Sequence, residues 1–161
     1  MDNIYVESIF ISASSNYWSH PKGNPGIAPT EPKNVVECVA GKGIKGDRFF
    51  DFKENYVGQI TFMDGDALRE FQKIIKQNFN FDLFRRNVIL SGIDPLSLEG
   101  KKFRIGEVIF EGICDCTPCQ WMDEMIAPGT LKWLAQNKKG GLRAKIIQSG
   151  PLKINDKLTV I

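Results

Sequence analysis

The chain repeatedly sets down a short run of β-branched and aromatic residues and then breaks it with glycine, proline, asparagine or aspartate. That punctuation restricts it to a mainly β fold. Such runs occupy residues 4–13 (IYVESIFISA), 34–40, 57–64, 87–92, 103–106, 107–114, 142–150 and 157–161, giving seven or eight short strands. One segment breaks the pattern. In DGDALREFQKIIKQ (64–77), Ala67, Leu68, Phe71, Ile74 and Ile75 recur on one helical stripe, with Asp64 and Asp66 at its start and Lys73 and Lys76 at its end, as a helix dipole favours. Shorter helices are expected at 120–126 and at 130–137, the latter capped by Thr130. The helices interrupt the strands instead of alternating with them. The expected architecture is therefore mainly β, a mostly antiparallel β-barrel with two or three peripheral helices, packed around Leu68, Phe71 and Ile75 of the long helix. With 161 residues and no internal repeat or linker, the expectation is one domain over 1–161.

Residues 14–33 hold four prolines and two glycines and are expected to form a long irregular loop. This loop carries His20, the only histidine, which reads most simply as solvated. The N-terminus has Asp2 and Glu7 and no basic region before its apolar residues, unlike a signal peptide, and no apolar run approaches the ~18 residues of a membrane helix. The expected location is the cytoplasm, with no membrane partner. A net charge of +2 gives no reason to expect nucleic acid.

Three of the four cysteines fall in CDCTPCQW, residues 114–121. In a reducing compartment a disulfide is disfavoured. A structural zinc site needs four ligands, normally two close pairs, and only Cys38 and His20 stand as distant additions to Cys114, Cys116 and Cys119. Cys38 shares a strand face with Val36 and reads as a small buried hydrophobe; Cys114 reads as packing at a strand end. Cys116 and Cys119 lie in a polar, proline-marked turn before a helix, where an exposed thiol with cations nearby would be held as thiolate.

Cations are available in three places. GKGIKGDRFF (41–50) is glycine-rich and carries Lys42, Lys45 and Arg48; FRRNV (84–88) sets Arg85 and Arg86 before a strand; KKGGLRAK (138–145) places Arg143 after a flexible turn. The first lacks the P-loop spacing, yet glycines let backbone amides approach an anion and arginine forks match phosphate. If the 42–48 loop, Arg85 and Arg143 share one cleft, they would hold a phosphorylated cofactor beside a thiolate.

The ordered set GIKGDR (43–48), RRNVILSGIDPLSLEGKKFRIGEVIFEGICDCTPC (85–119) and GGLRAKIIQSGPLKINDKL (140–158) resembles the MOSC domain, named for the C-terminus of molybdenum cofactor sulfurase, over about residues 34–161. The chain looks like a small stand-alone bacterial member, without a desulfurase or an additional β-barrel domain. The resemblance implies a β-rich barrel that binds the molybdenum cofactor (molybdopterin). It aligns the family's cysteine with Cys119, a sulfur carrier in one branch and a molybdenum ligand in the other; Cys116 and Cys114 are extra thiols, there either to relay a persulfide or merely as neighbours. It assigns the cofactor's phosphate and pterin to Lys45, Gly46, Asp47 and Arg48, to Arg85, Arg86 and Asn87, and to Arg143. Phe49 and Phe50 stand where many relatives have histidine after Gly-Asp-Arg, which removes a polar group there. Asn155-Asp156 replaces the usual Gly-Asp, and both pairs suit a tight turn. Pyridoxal phosphate, associated with the fused desulfurase, is not expected to bind.

Three functions follow. The first is a molybdenum-dependent reductase of N-hydroxylated compounds, with Cys119 on the metal. The second is a sulfur carrier with a persulfide on Cys119, and the third a non-catalytic module with a structural zinc. A cysteine desulfurase or a redox protein is the expected kind of partner; oligomeric state stays open.

Overall fold

The computed structural model describes residues 3–14 and 29–161; His20 and most of the proline-rich stretch lie outside the described residues. The chain enters as strand β1 (Tyr5–Ile11), resumes as β2 (Glu31–Lys33) and β3 (Val35–Val39), and turns through β4 (Gly43–Ile44) towards β5 (Ile60–Asp64). Helix α1 (Gly65–Ile75) crosses to β6 (Val88–Ser91), followed by β7 (Lys102–Ile105) and β8 (Val108–Asp115). Helices α2 (Trp121–Met125) and α3 (Thr130–Gln136) precede β9 (Leu142–Gln148), β10 (Gly150–Lys153) and β11 (Leu158–Val160).

Eight strands form one sheet in the order β11-β7-β8-β9-β5-β6-β1-β2, and β10-β3-β4 form a second. All pairs are antiparallel except β5 with β6, which α1 joins as a crossover. The expected mainly β, mostly antiparallel architecture with peripheral helices is found. The closed barrel is not, because β2 and β11 stand at opposite ends of the large sheet's strand order. Curvature brings the start of β1 to β11 nonetheless: Leu158 N donates to Ile4 O at 3.0 Å and Val6 N to Asp156 O at 3.0 Å. The irregular stretch is also shorter than expected, since residues 31–33 pair with β1. Pro32 sits there without penalty because β2 is an edge strand.

Strand alternation creates two cores on opposite faces of the large sheet. Ile60, Phe62, Val88, Leu142 and Ala144 point to the second sheet and meet Val36, Cys38, Ile44 and Leu152. Phe62, Phe103 and Phe110 pack there with ring centroids 5.3–5.5 Å apart, each burial contributing ~1.5–3 kcal/mol. The intervening residues Met63 and Ile89 point the other way, to Leu68 of α1, Phe84, Met122 of α2 and Leu134 of α3.

Asp64 caps α1 through Ala67 N at 3.1 Å, and Ala67, Leu68 and Phe71 are buried. Ile75 is half-buried. Ile74, placed on the stripe from sequence, is 55% exposed because a wide stripe overruns the contact face. The residue preceding α3 is Gly129, at φ 91°, and not Thr130; the Thr130 hydroxyl instead donates to Ala127 O at 2.7 Å. No helix among the described residues is long and apolar enough to cross a membrane.

Cys38 opposes Ile44 and Gly150. Burial, with Glu37 adding to it, pushes its thiol from 9.0 up to about 12. A raised folded value means that the thiol's contribution to stability is complete below the unfolded value near 9 and is lost as pH rises towards 12. Urea midpoints of the wild type are therefore expected to fall above pH 9, more steeply than those of Cys38→Ala. Parallel curves would show that Cys38 does not report this burial.

Candidate functional site

The face that carries the helices also carries the site. Arg143 of β9 lies opposite Thr61 of β5 and Cys114 of β8, so the three occupy one row across the sheet. Their neighbours Leu142 and Phe62 are turned into the opposite core. Above this row the loops around 48–58, 84–86 and 116–119, with α2, enclose a cavity of about 330 Å³. Arg48, Arg85, Arg86 and Arg143 line it together with Cys116 and Cys119, and its described lining holds no carboxylate. The three basic segments separated in sequence thus do meet.

The individual arginines are held differently. Gly46, at φ 90°, turns the chain so that the Asp47 carboxylate is enclosed: it accepts from Ser12 N at 3.0 Å and from Arg48 Nη1 at 3.3 Å. Arg48 Nη2 donates to Arg85 O at 3.2 Å, and its guanidinium lies 4.6 Å from the Phe49 ring centre. Among the described residues, Arg48 Nε is buried with no hydrogen-bond partner. Burial lowers the Arg48 pKa, opposed by Asp47.

Arg85 has φ 58°, and this left-handed turn sends it and Arg86 to different partners. Arg85 donates to Thr30 Oγ1 at 3.0 Å, Ser12 Oγ at 2.8 Å and Ser14 O at 2.7 Å, joining the two flanks of the proline-rich stretch. Burial, reinforced by Arg48, pushes it down to about 10, so it stays charged at neutral pH. Arg86 donates to Gly140 O at 2.9 Å and, at longer range, to the carbonyls of Phe84, Cys116 and Thr117; it holds the cysteine loop in place. Gly140 allows this approach, since a Cβ there would stand 2.3 Å from Cys116 O.

Cys116, expected to be exposed, is 6% exposed, because its N–H donates to Gly141 O at 2.8 Å and draws the residue inward. Burial would lower the Arg143 pKa, but a hydrogen bond with the Cys116 sulfur and the charges of Cys116, Tyr56 and Cys114 more than offset it, and the result is a rise. Cys119 is half-buried beside Trp121 and Met122, before a helix of only five residues. Burial raises the Cys114 thiol, with Arg143 opposing.

The remaining candidates are elsewhere. Lys45 is exposed and does not line the cavity. Gly46 and Asp47 shape the Arg48 turn. Asn87 is buried and ties strands together, its Oδ1 accepting from Thr61 N at 3.0 Å and its Nδ2 donating to Phe10 O at 3.2 Å. All four cysteines are free, and among the described residues no three His, Cys, Asp or Glu side chains gather to hold a metal. The structural-zinc alternative has no ligand set there.

Sequence reasoning passed over Tyr56 and Trp121, which line the cavity with Phe49. Tyr56 lies in an aperiodic stretch, and Trp121 reads as an ordinary helix start; only the aromatic spacing F-x-x-F-x-x-x-Y at 49–56 marked the region. Trp121 Nε1 is buried without a partner among the described residues, and the Arg85 guanidinium lies 5.8 Å from its ring centre.

A fold and a cavity of this kind place the chain among small β-rich domains with one arginine-lined cavity. A model of the MOSC domain matches residues 54–159, about two-thirds of the chain, and the chain belongs to that family, which is associated with the molybdenum cofactor. The matched span includes the arginine and cysteine motifs and leaves Gly-Asp-Arg outside it. Among solved structures, YiiM from Geobacillus stearothermophilus is similar at TM-score 0.73 and 14% identity, covering 98% of this chain and 75% of that one. The YuaD protein from Bacillus subtilis is similar at TM-score 0.66 and 15% identity, covering 97% and 94%. YiiM from Escherichia coli gives TM-score 0.66 and 14% identity, covering 100% and 70%. At such identities the likeness is one of fold. No curated protein matches the chain by sequence.

Proposed function

We propose that the protein is a molybdenum-dependent reductase of N-hydroxylated compounds. The observation that carries this reading is the convergence of Arg48, Arg85, Arg86 and Arg143 with Cys116 and Cys119 around one cavity free of described carboxylates. Four guanidinium groups on one cavity wall, with Asp47 paired to Arg48 outside that lining, favour an anionic occupant, and their forks suit phosphate. The residues fit a phosphorylated pterin. The planes of Phe49, Tyr56 and Trp121 offer surfaces for a flat heterocycle, and Arg48 Nε and Trp121 Nε1, without partners among the described residues, are donors such a group would satisfy. Cys119 supplies a soft sulfur ligand suited to molybdenum.

When bound, the cofactor would supply the two electrons of the reduction. The chain's own part is to neutralise phosphate through Arg48 and Arg143, to hold the cysteine loop through Arg86, and to present Cys119 to the metal. A redox protein would deliver electrons in turn.

The neighbouring thiols of Cys114, Cys116 and Cys119 beside Arg143 favour a second reading: a sulfur carrier loaded by a desulfurase. The test is an assay of protein loaded with molybdenum cofactor, using an amidoxime or an N-hydroxylated base with reduced viologen as electron donor, run beside cyanide release of sulfur. Reduction of the N–O bond supports the first reading. Cyanide-releasable sulfur without reduction overturns it in favour of the second.

A further inference from the structure

Resting on the reductase reading, we infer that Tyr56 is the proton donor to the departing oxygen of the substrate. Reducing an N-hydroxylated amine consumes two electrons and two protons: R–NH–OH + 2e⁻ + 2H⁺ gives R–NH₂ + H₂O. The cofactor, when bound, would supply the electrons for breaking the N–O bond. One proton must reach the oxygen, since hydroxide is a poor leaving group, and the other reaches nitrogen from solvent.

The described cavity wall contains few groups able to give that proton. The arginines cannot release one at any working pH. Thr61 is bonded to Asn87, with its hydroxyl 3.1 Å from Asn87 Oδ1. Thr117 is an alcohol and too weak an acid, Cys116 is only 6% exposed, and Cys119 is assigned to the metal. Tyr56 remains. Among the described residues its hydroxyl has no hydrogen-bond partner.

The phenol is also positioned. Its ring packs on Phe49 and Phe52 at 5.5 and 4.9 Å, with Lys53 Nζ 5.4 Å from its centre. Gly58 makes room for its outer edge: a Cβ there would stand 3.2 Å from Tyr56 Cε2, Cζ and Oη. The charged and titratable groups acting on it are Arg143, Cys116, Arg48 and Cys114. Burial raises its pKa, and Arg143 and Arg48 pull it back. At neutral pH it therefore holds its proton, and a phenolate left after transfer has two cations beside it until solvent returns the proton.

Tyr56→Phe keeps the ring and removes only the hydroxyl. In cofactor-loaded protein, kcat for an N-hydroxylated substrate should fall at least ~100-fold, the usual share of a general acid, with KM changed less than threefold and molybdenum content unchanged. In cofactor-free protein, the 295 nm phenolate signal absent from Tyr56→Phe should move to higher pH in Arg143→Met, because a stabilising cation is gone. A kcat within threefold of wild type, or a phenol titration indifferent to Arg143, overturns the assignment alone. A loaded wild type that reduces no N-hydroxylated compound overturns the reductase reading, and this assignment with it.

Discussion

Cys119→Ser is expected to abolish molybdenum-dependent reduction, and equally any persulfide loading, while the protein stays folded. The substitution exchanges sulfur for oxygen at a half-buried position beside Trp121 and Met122. Packing volume hardly changes, and the cost to stability should stay within ~1 kcal/mol, the ordinary scale of a mild substitution. The chemistry changes completely, because a serine hydroxyl neither forms a persulfide nor ligates a soft metal well. Cys116→Ser should be intermediate, since it removes a sulfur neighbouring Cys119 but leaves Arg143 an oxygen acceptor, and Cys114→Ser should change function little. Rates, cyanolysis and melting curves on the three variants check the series. Full activity in Cys119→Ser would remove this thiol from the centre of the account.

Arg86→Met is expected to give the largest loss of stability among the cavity residues. Arg86 is 8% exposed, and its guanidinium serves the carbonyls of Gly140, Phe84, Cys116 and Thr117. Methionine fills similar space but leaves these acceptors without a donor. At ~1–3 kcal/mol for a buried group left unpaired, and with two of the four contacts on the cysteine loop, a total near 3 kcal/mol is expected. For a chain of this size that is about 6–12 °C in Tm. Cofactor retention should fall in parallel, because the 116–119 loop loses its anchor. Arg86→Lys, with charge but no fork, should recover only part of either. A Tm within 2 °C of wild type would show that the loop is held by other contacts.

The same arginine shows where sequence stops being readable. The tandem Arg85-Arg86 is visible as a basic pair before a strand, but nothing in it says that the two diverge. That depends on Arg85 taking a left-handed φ, which a non-glycine residue adopts only when surrounding contacts enforce it. Strand runs were legible because alternation is a local consequence of backbone pleating, whereas closure of the barrel depends on where edges meet. The short strands Gly43–Ile44 and Glu31–Lys33 were hidden by the glycines and prolines that elsewhere mark loops. Gly-Asp-Arg was recognisable as a motif, yet its division of labour was not: Asp47 anchors the turn, Arg48 reaches the cavity and Lys45 faces outward. Tyr56 and Trp121 enter the cavity only through tertiary contact and carry no periodic signal of their own.

The central claim is that the arginine-lined cavity holds molybdenum through Cys119, and metal content tests it most directly. Protein purified from a molybdopterin-competent host should carry molybdenum near one atom per chain. That content should be lost in Cys119→Ser and strongly reduced in the double variant Arg48→Met, Arg143→Met, whose cavity has lost two of its four charges. Stoichiometric zinc, or cyanide-releasable sulfur with no molybdenum in the wild type, would contradict it.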